Sequence, residues 1–309
     1  MTTRTLEPVA PAPSTVRRRR SGLEKAKARA GWLLLAPALI HSVIFVAVPG
    51  VIVLALSFSE FRLLGSPDLV GLDNYVTLFS DSKFVQALIN TVIYTLAVVP
   101  LAMALAILVA LGLNQRIRFR AAYRTLFYLP VVTSTVAVAT VWLWIYNPSS
   151  GLGNEVLSFL GLSRSGWLTD PGTALSALIA IGVWQGLGTK MIVYLGALQT
   201  ISPELVEAAR LDGASKWQIF WHVTWPGLAP AHFFVIVTSI AGSFQVFDLV
   251  YVTTQGGPVG STNVLTYDIF QNAFGNLKLG YASAETMAML LLVGVFIYLG
   301  RMTQRNREE

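Results

Sequence analysis

The chain of 309 residues contains no cysteine, which excludes disulfides, thiolate metal sites and cysteine nucleophiles. Histidine is nearly as scarce, and His41, His222 and His232 stand at spacings that suggest no metal site, so neither a metal centre nor a catalytic residue is expected. Charge is thin as well. Asp, Glu, Lys and Arg make up 12% of the chain, roughly half the share usual in soluble domains, against 54% hydrophobic residues and a mean hydropathy of +0.61. That balance excludes an ordinary water-soluble domain and fits an integral membrane protein. Also missing is any G-x-x-x-x-G-K-[ST] phosphate loop, so ATP hydrolysis is not a task of this chain.

What the sequence does have is six apolar runs that approach or exceed the roughly 20 residues needed to cross a bilayer. They are Trp32–Phe58, Ala87–Leu113, Leu126–Tyr146, Ala174–Leu198, Ala229–Thr253 and Tyr281–Leu299. The expected fold is therefore an all-α integral membrane protein with six transmembrane helices. Lys and Arg set the orientation: 17 lie in segments 1–31, 114–125, 199–228 and 300–309, against four (Arg62, Lys83, Arg164 and Lys278) in the alternate set. The basic set belongs on the cytoplasmic side, which places both termini there. The net charge of +6 is thus a topology signal, and no nucleic-acid partner is needed to explain it. Arg17 to Arg20 suit anionic lipid headgroups, since the apolar run that follows is too long for a signal-peptide core. Three parts follow: a disordered basic N-terminus (1–30), a transmembrane domain (31–301) and a cytoplasmic tail (302–309).

Kinks are expected at Pro37, Pro49 and Gly50 in the first span, and interruptions at Asn90 and Pro100 in the second. Asp73 should cap a short interfacial helix, and Trp142, Trp144 and Tyr146 should form an aromatic belt at the outer end of the third span. The fourth span carries Gln185, Gly186, Thr189 and Lys190; the fifth carries Ser239, Ser243, Gln245 and Asp248. Such groups inside a membrane segment are costly and face a bundle interior or water. Their chemistry suits hydrogen bonding to a polyol, with interhelical contact as the plainer alternative. Lys190 either lines a pathway or reaches a helix-end or lipid acceptor. At 1.5 Å per residue it sits about 13 Å above the inner end of its helix and Asp248 about 28 Å above the inner end of the other, so straight helices keep them apart. A direct salt bridge requires a broken helix.

Between the fourth and fifth spans lies a polar segment, Ser202 to Pro230. Ser202 is placed as an N-cap, Pro203 opens a helix, Gly213 suits a left-handed stop, and Ser215 caps a second helix over Lys216–Val223. This helix-turn-helix is tied to a hydrophobic span on each side, which prevents it from entering a DNA groove. Small residues at Ala208, Ala209 and Gly213, with polar handles at Glu207 and Asp212, form a knob suited to docking against another protein.

From about Ala30 to Arg301 the sequence resembles the permease subunits of binding-protein-dependent ABC importers, in the branch carrying sugars and glycerol phosphate. The resemblance rests on Glu207-Ala208-Ala209 and Asp212-Gly213-Ala214, with Ile219, Pro226 and Pro230 following. It is reinforced by Gly71-Leu72-Asp73-Asn74-Tyr75, Tyr128-Leu129-Pro130, Phe244 to Asp248, Thr254 to Pro258 and Gly280 to Ala284. It implies that Glu207, Ala208, Ala209, Asp212 and Gly213 belong to a coupling helix seated on an ATPase dimer, which would bind the ATP and magnesium that this chain does not. A second permease, an extracytoplasmic sugar-binding protein and a prokaryotic inner membrane are implied too. Family substrate positions fall on Gly182, Gln185, Gly186 and Thr189, and on Ser239, Gly242, Ser243 and Val246. Gly182, Ser243 and Val246 stand where larger amides are usual and Thr189 where an aromatic is, so the pocket is wider or differently wired. The cargo expected is a mono- or disaccharide; the alternatives are sn-glycerol 3-phosphate and, from another class, an ion-coupled secondary transporter using Lys190 and Asp248.

Overall fold

The computed structural model describes residues 22–61 and 66–305. Arg17 to Arg20, most of the expected disordered N-terminus, Arg62 and the last four residues of the tail lie outside the described residues. The described chain falls into two bodies, divided after Ile52.

The first body consists of α1 (Gly22–Ser42), a π-helical turn over Val43–Ala47 and the start of α2 (Val48–Leu56). The irregularity expected from the breakers takes the form of that widened turn, which lies just before Pro49, whose missing N–H leaves one carbonyl of the ladder without its donor. Apolar side chains such as Leu34 and Phe45 are exposed along it, and Arg29–Leu56 is long and apolar enough to cross a membrane.

The second body is almost wholly helical. Its β structure among the described residues is one antiparallel pair, β1 (Ser59–Glu60) with β2 (Asp68–Leu69). Then come α3 (Asp73–Ser80), α4 (Ser82–Leu113), α5 (Arg120–Val132), α6 (Thr135–Ile145), α7 (Leu152–Phe159) and α8 (Ala174–Leu198). After them follow α9 (Pro203–Leu211), α10 (Lys216–Ile219), α11 (Trp225–Gly227), α12 (Ala229–Phe244), α13 (Asp248–Thr253), α14 (Leu265–Phe270) and α15 (Leu279–Arg305). Among the described residues, five helical segments are long and apolar enough to span a bilayer, and α5 with α6 forms a further pair bent by 99°. The third run is thus not one straight helix. Thr133 and Ser134 adopt extended backbone between its halves, and Pro130 has already removed a ladder donor nearby.

The second run differs in the opposite sense. Asn90 and Pro100 do not interrupt it, because α4 continues through both for 32 residues. Asn90 is satisfied sideways instead: its Nδ2 donates to the carbonyls of Gly260 (2.9 Å) and Asn263 (2.8 Å) in the loop after α13. Further along α4, Ala102, Ala106 and Ala110 recur every fourth residue with no exposed surface, giving a smooth stripe on the helix that packs closely with α8. On α8, Gly188 serves the same purpose toward α5, since a Cβ there would press on the backbone at Phe127 and Tyr128. Close approach matters because lipid supplies no hydrophobic drive between helices, leaving van der Waals contact and hydrogen bonds to hold them. One such bond joins Tyr194 of α8 to His232 of α12 at 3.1 Å.

Two smaller expectations are corrected. Asp73 is the first residue of α3 rather than its cap; Leu72 occupies that position without a side-chain bond. Tyr146 is buried and stacks on Trp167 at 4.6 Å, so it belongs to the core rather than to an exposed belt, while Trp144 stays exposed. Asn154 holds the loop between α6 and α8 together. It donates to Pro148 O and Ser165 O and accepts from Ser165 N and the Trp167 indole, all within 3.0 Å.

Candidate functional site

A cavity of about 440 Å³ opens among α4, α5, α6, α8, α12 and α13. Every residue singled out from the polar content of the fourth and fifth spans lines it: Gln185, Gly186, Thr189 and Lys190 from α8, Ser239 and Ser243 from α12, and Gln245 and Asp248 from the junction with α13. The spacing explains the convergence. Residues 185, 186, 189 and 190 recur at three- and four-residue intervals, and so do 239 and 243, so each set presents one helical face.

The fifth run is broken at Gln245–Phe247, where α12 stops and α13 begins. With this irregular turn, Asp248 lines the same cavity as Lys190. Even so, the two make no ion pair. Lys190 Nζ turns back to the carbonyl of Gly186, one helical turn away, at 3.3 Å. One cation and one anion therefore face the space with hydrogen-bonding capacity to spare. Gln185 is positioned by donating to Thr135 Oγ1 at 3.1 Å, a bond that ties α8 to the start of α6. The junction itself is held from behind, where Thr266 Oγ1 donates to the carbonyl of Val246 at 2.5 Å.

Sequence reasoning missed the contribution of the other walls: Tyr94 and Val98 from α4, Val131 and Thr135 beside the α5–α6 bend, and Thr238. Gly182 and Tyr94 are complementary, because a Cβ at 182 would collide with the Tyr94 hydroxyl. The signal was present, since Tyr94 and Val98 sit one turn apart, but a lone tyrosine in an apolar run reads equally as packing.

The polar segment after α8 is a second candidate surface. Ser202 Oγ accepts from Glu204 N at 3.3 Å and Pro203 opens α9. Gly213 closes the helix at φ +79°, with Ala214 N bonded to Ala209 O at 2.9 Å. Ser215 and Gln218 then form a reciprocal capping box for α10. The second helix keeps four residues of α geometry before a π turn over Phe220–Thr224, so it continues past Val223 in wider form. No residue of α9 is buried. Glu207, Ala208, Asp212 and Gly213 are exposed, Ala209 half-buried, and Leu211, at 90% exposure, finds no cover among the described residues.

A bundle of membrane-length helices around a polar cavity, with a largely exposed polar helix pair between two spans, defines a multi-pass membrane transport subunit. The chain belongs to the family described as binding-protein-dependent transport system inner membrane components, whose model matches residues 75–307. It is similar to the probable ABC transporter permease protein YesP of Bacillus subtilis, 37% identical over 86% of this chain and 87% of that one. It is also similar to the lactose transport system permease protein LacF of Rhizobium radiobacter, at 35% identity over 94% and 98%. The sn-glycerol-3-phosphate transport system permease protein UgpA of Agrobacterium fabrum is 31% identical over 85% and 90%. Among solved structures, a chain of a bacterial alginate ABC transporter, in complex with a periplasmic protein carrying an alginate pentasaccharide, superposes with a TM-score of 0.80. That match has 27% identity and covers 92% of this chain and 96% of the other.

Proposed function

We propose that this chain is one of two permease subunits of an ATP-driven importer for a neutral mono- or disaccharide, and that the cavity is the transient cargo site. The observation that carries the reading is the convergence of seven polar residues and Gly186, from helices far apart in sequence, on one cavity inside a membrane-length bundle. Hydroxyl, amide and carboxylate groups on several walls match the donors and acceptors around a sugar ring. Relatives named for lactose, starch degradation products and sn-glycerol 3-phosphate support this class of cargo. Among the described residues Lys190 is the sole cation lining the cavity and Asp248 offsets it, which favours a neutral sugar over a phosphate ester.

In this reading the domain over residues 31–301 crosses the membrane six times, the bent α5–α6 pair counting as one crossing, with both termini on the cytoplasmic side. An extracytoplasmic binding protein delivers the sugar. A separate ATPase dimer binds ATP and magnesium and receives α9 and α10 through Glu207, Ala208, Ala209, Asp212 and Gly213. Closure of the ATPase pair pushes this hairpin as a lever, and the bundle shifts between two discrete packings that open the cavity to one side or the other. The test is ATPase activity of the chain assembled with its partners in lipid, with and without a sugar-loaded binding protein. Stimulation by one loaded binding protein supports the importer and identifies the cargo. Sugar accumulation by the chain alone under an ion gradient, without ATP, rejects it in favour of a secondary transporter.

A further inference from the structure

Behind the cavity, two acid side chains meet in the interior. Glu285 of α15 has no exposed surface and Asp268 of α14 only 6%. Each gives one carboxyl oxygen to a neutral amide. Asn272 Nδ2 donates to Glu285 Oε1 at 2.9 Å, and Asn263 Nδ2 donates to Asp268 Oδ1 at 2.9 Å. The remaining oxygens, Glu285 Oε2 and Asp268 Oδ2, are buried without a donor, and the two carboxyls lie within hydrogen-bonding reach of each other.

The surroundings do not supply a counter-charge. Asp81 at the start of α4 adds negative potential and already accepts from the Tyr281 hydroxyl at 2.9 Å. Tyr267 on α14 is engaged with Gln271. Lys278 lines a neighbouring pocket with Glu60, Asp73, Asp81 and Asn272. No set of three or more His, Cys, Asp or Glu side chains among the described residues could hold a metal ion. Two ionised carboxylates in contact inside a protein repel strongly, whereas a single proton between them removes one charge and gives both orphaned oxygens a partner.

We infer that Asp268 and Glu285 form a proton-binding site in which one shared proton fastens α14 to α15. The clasp bears on the cavity. Through Thr266, α14 holds the Val246 carbonyl at the break between α12 and α13, and through the Leu265 amide, which donates to Thr91 Oγ1 at 2.9 Å, it is pinned to α4. Loss of the proton turns the contact repulsive, frees α14 from α15 and loosens the outer wall of the cavity. The inference does not depend on which cargo the cavity takes.

The experiment is thermal unfolding of the full-length chain, assembled with its partner subunits in lipid nanodiscs, from about pH 6 to about pH 9. Wild type should lose roughly 5 °C of its midpoint on the alkaline side. Glu285→Gln places a permanent donor against Asp268 and removes one charge, so its midpoint should stay level over the same range. Asp268→Asn provides the same test if the first variant fails to assemble. A variant curve that falls in parallel with wild type overturns the inference, and so does a level wild-type curve. Replacing choline by sodium at constant ionic strength should leave the alkaline loss in place; recovery in sodium overturns the proton in favour of a bound cation.

Discussion

Gly182 and Tyr94 illustrate what single residues contribute to the cavity. The hydroxyl of Tyr94 occupies the space a methyl group would need at 182, so Gly182→Ala must push the ring aside. Overpacking of this kind costs about 1–3 kcal/mol, and here it also changes the cavity wall. We expect Gly182→Ala to lower the thermal midpoint by a few degrees and to cut uptake about tenfold; wild-type values for both would show that Tyr94 yields without consequence. Lys190 makes a different demand. Its ammonium bonds only its own helix, so Lys190→Met removes cavity chemistry while sparing contacts between helices. Uptake of a neutral sugar should fall by roughly tenfold or less, the value of one hydrogen bond to a charged donor, whereas a phosphate ester would lose its sole cation and with it nearly all transport. Comparing the two cargoes in the same vesicles decides between them. Outside the cavity, Asn154→Ala leaves two carbonyls, the Ser165 amide and the Trp167 indole without their shared partner, and should cost about 2–4 kcal/mol in unfolding measurements without altering the affinity of the cavity.

At the scale of elements, the parts legible in the sequence were those with local physical signals. Ser202, Pro203, Gly213 and Ser215 stand where the caps and the left-handed turn stand, because capping is decided within four residues. The seven polar positions named for the cavity were visible because an apolar span makes each polar residue conspicuous. What stayed hidden depended on partners distant in the chain. Asn90 looked like an interruption because its acceptors lie 170 and 173 residues away. The Asp268–Glu285 contact was invisible because one member sits outside the runs. The bend at Thr133–Ser134 gave little warning, since Pro130 alone does not distinguish a kink from a break near a right angle. The small-residue surfaces can be tested directly. Gly188→Val inserts a side chain against the backbone of α5, which cannot move aside as a flexible side chain would. It should part α5 from α8, stretch the Gln185–Thr135 bond and cost about 1–3 kcal/mol of stability. A variant as stable as wild type would show that α5 rides loosely on α8.

Across the whole molecule, the cavity and the exposed hairpin are joined by one nearly unbroken helical path. From α10 the chain runs through the π turn and α11 directly into α12, whose far end carries Ser239 and Ser243 and stops at the break beside Asp248. In the proposed lever, α9 has no buried residue and is free to take a partner, whereas α10 is anchored through buried Ile219, so a force on the hairpin would pass into α12. The joint between α9 and α10 is Gly213 at φ +79°, a conformation costing a β-branched residue upward of about 1–2 kcal/mol. Gly213→Val should therefore re-aim α10 against α9 while leaving the cavity intact. Gly213→Asn, which tolerates the left-handed region, should not. In lipid with its partners, the Val variant is expected to keep basal ATP hydrolysis, lose stimulation by the loaded binding protein and transport at least tenfold more slowly. Cargo capture by the binding protein should be unchanged, and the Asn variant should approach wild type. Full transport by the Val variant would mean that the angle of this hairpin does not carry the stroke, and the lever would then have to be sought in another segment, such as the turn between α4 and α5.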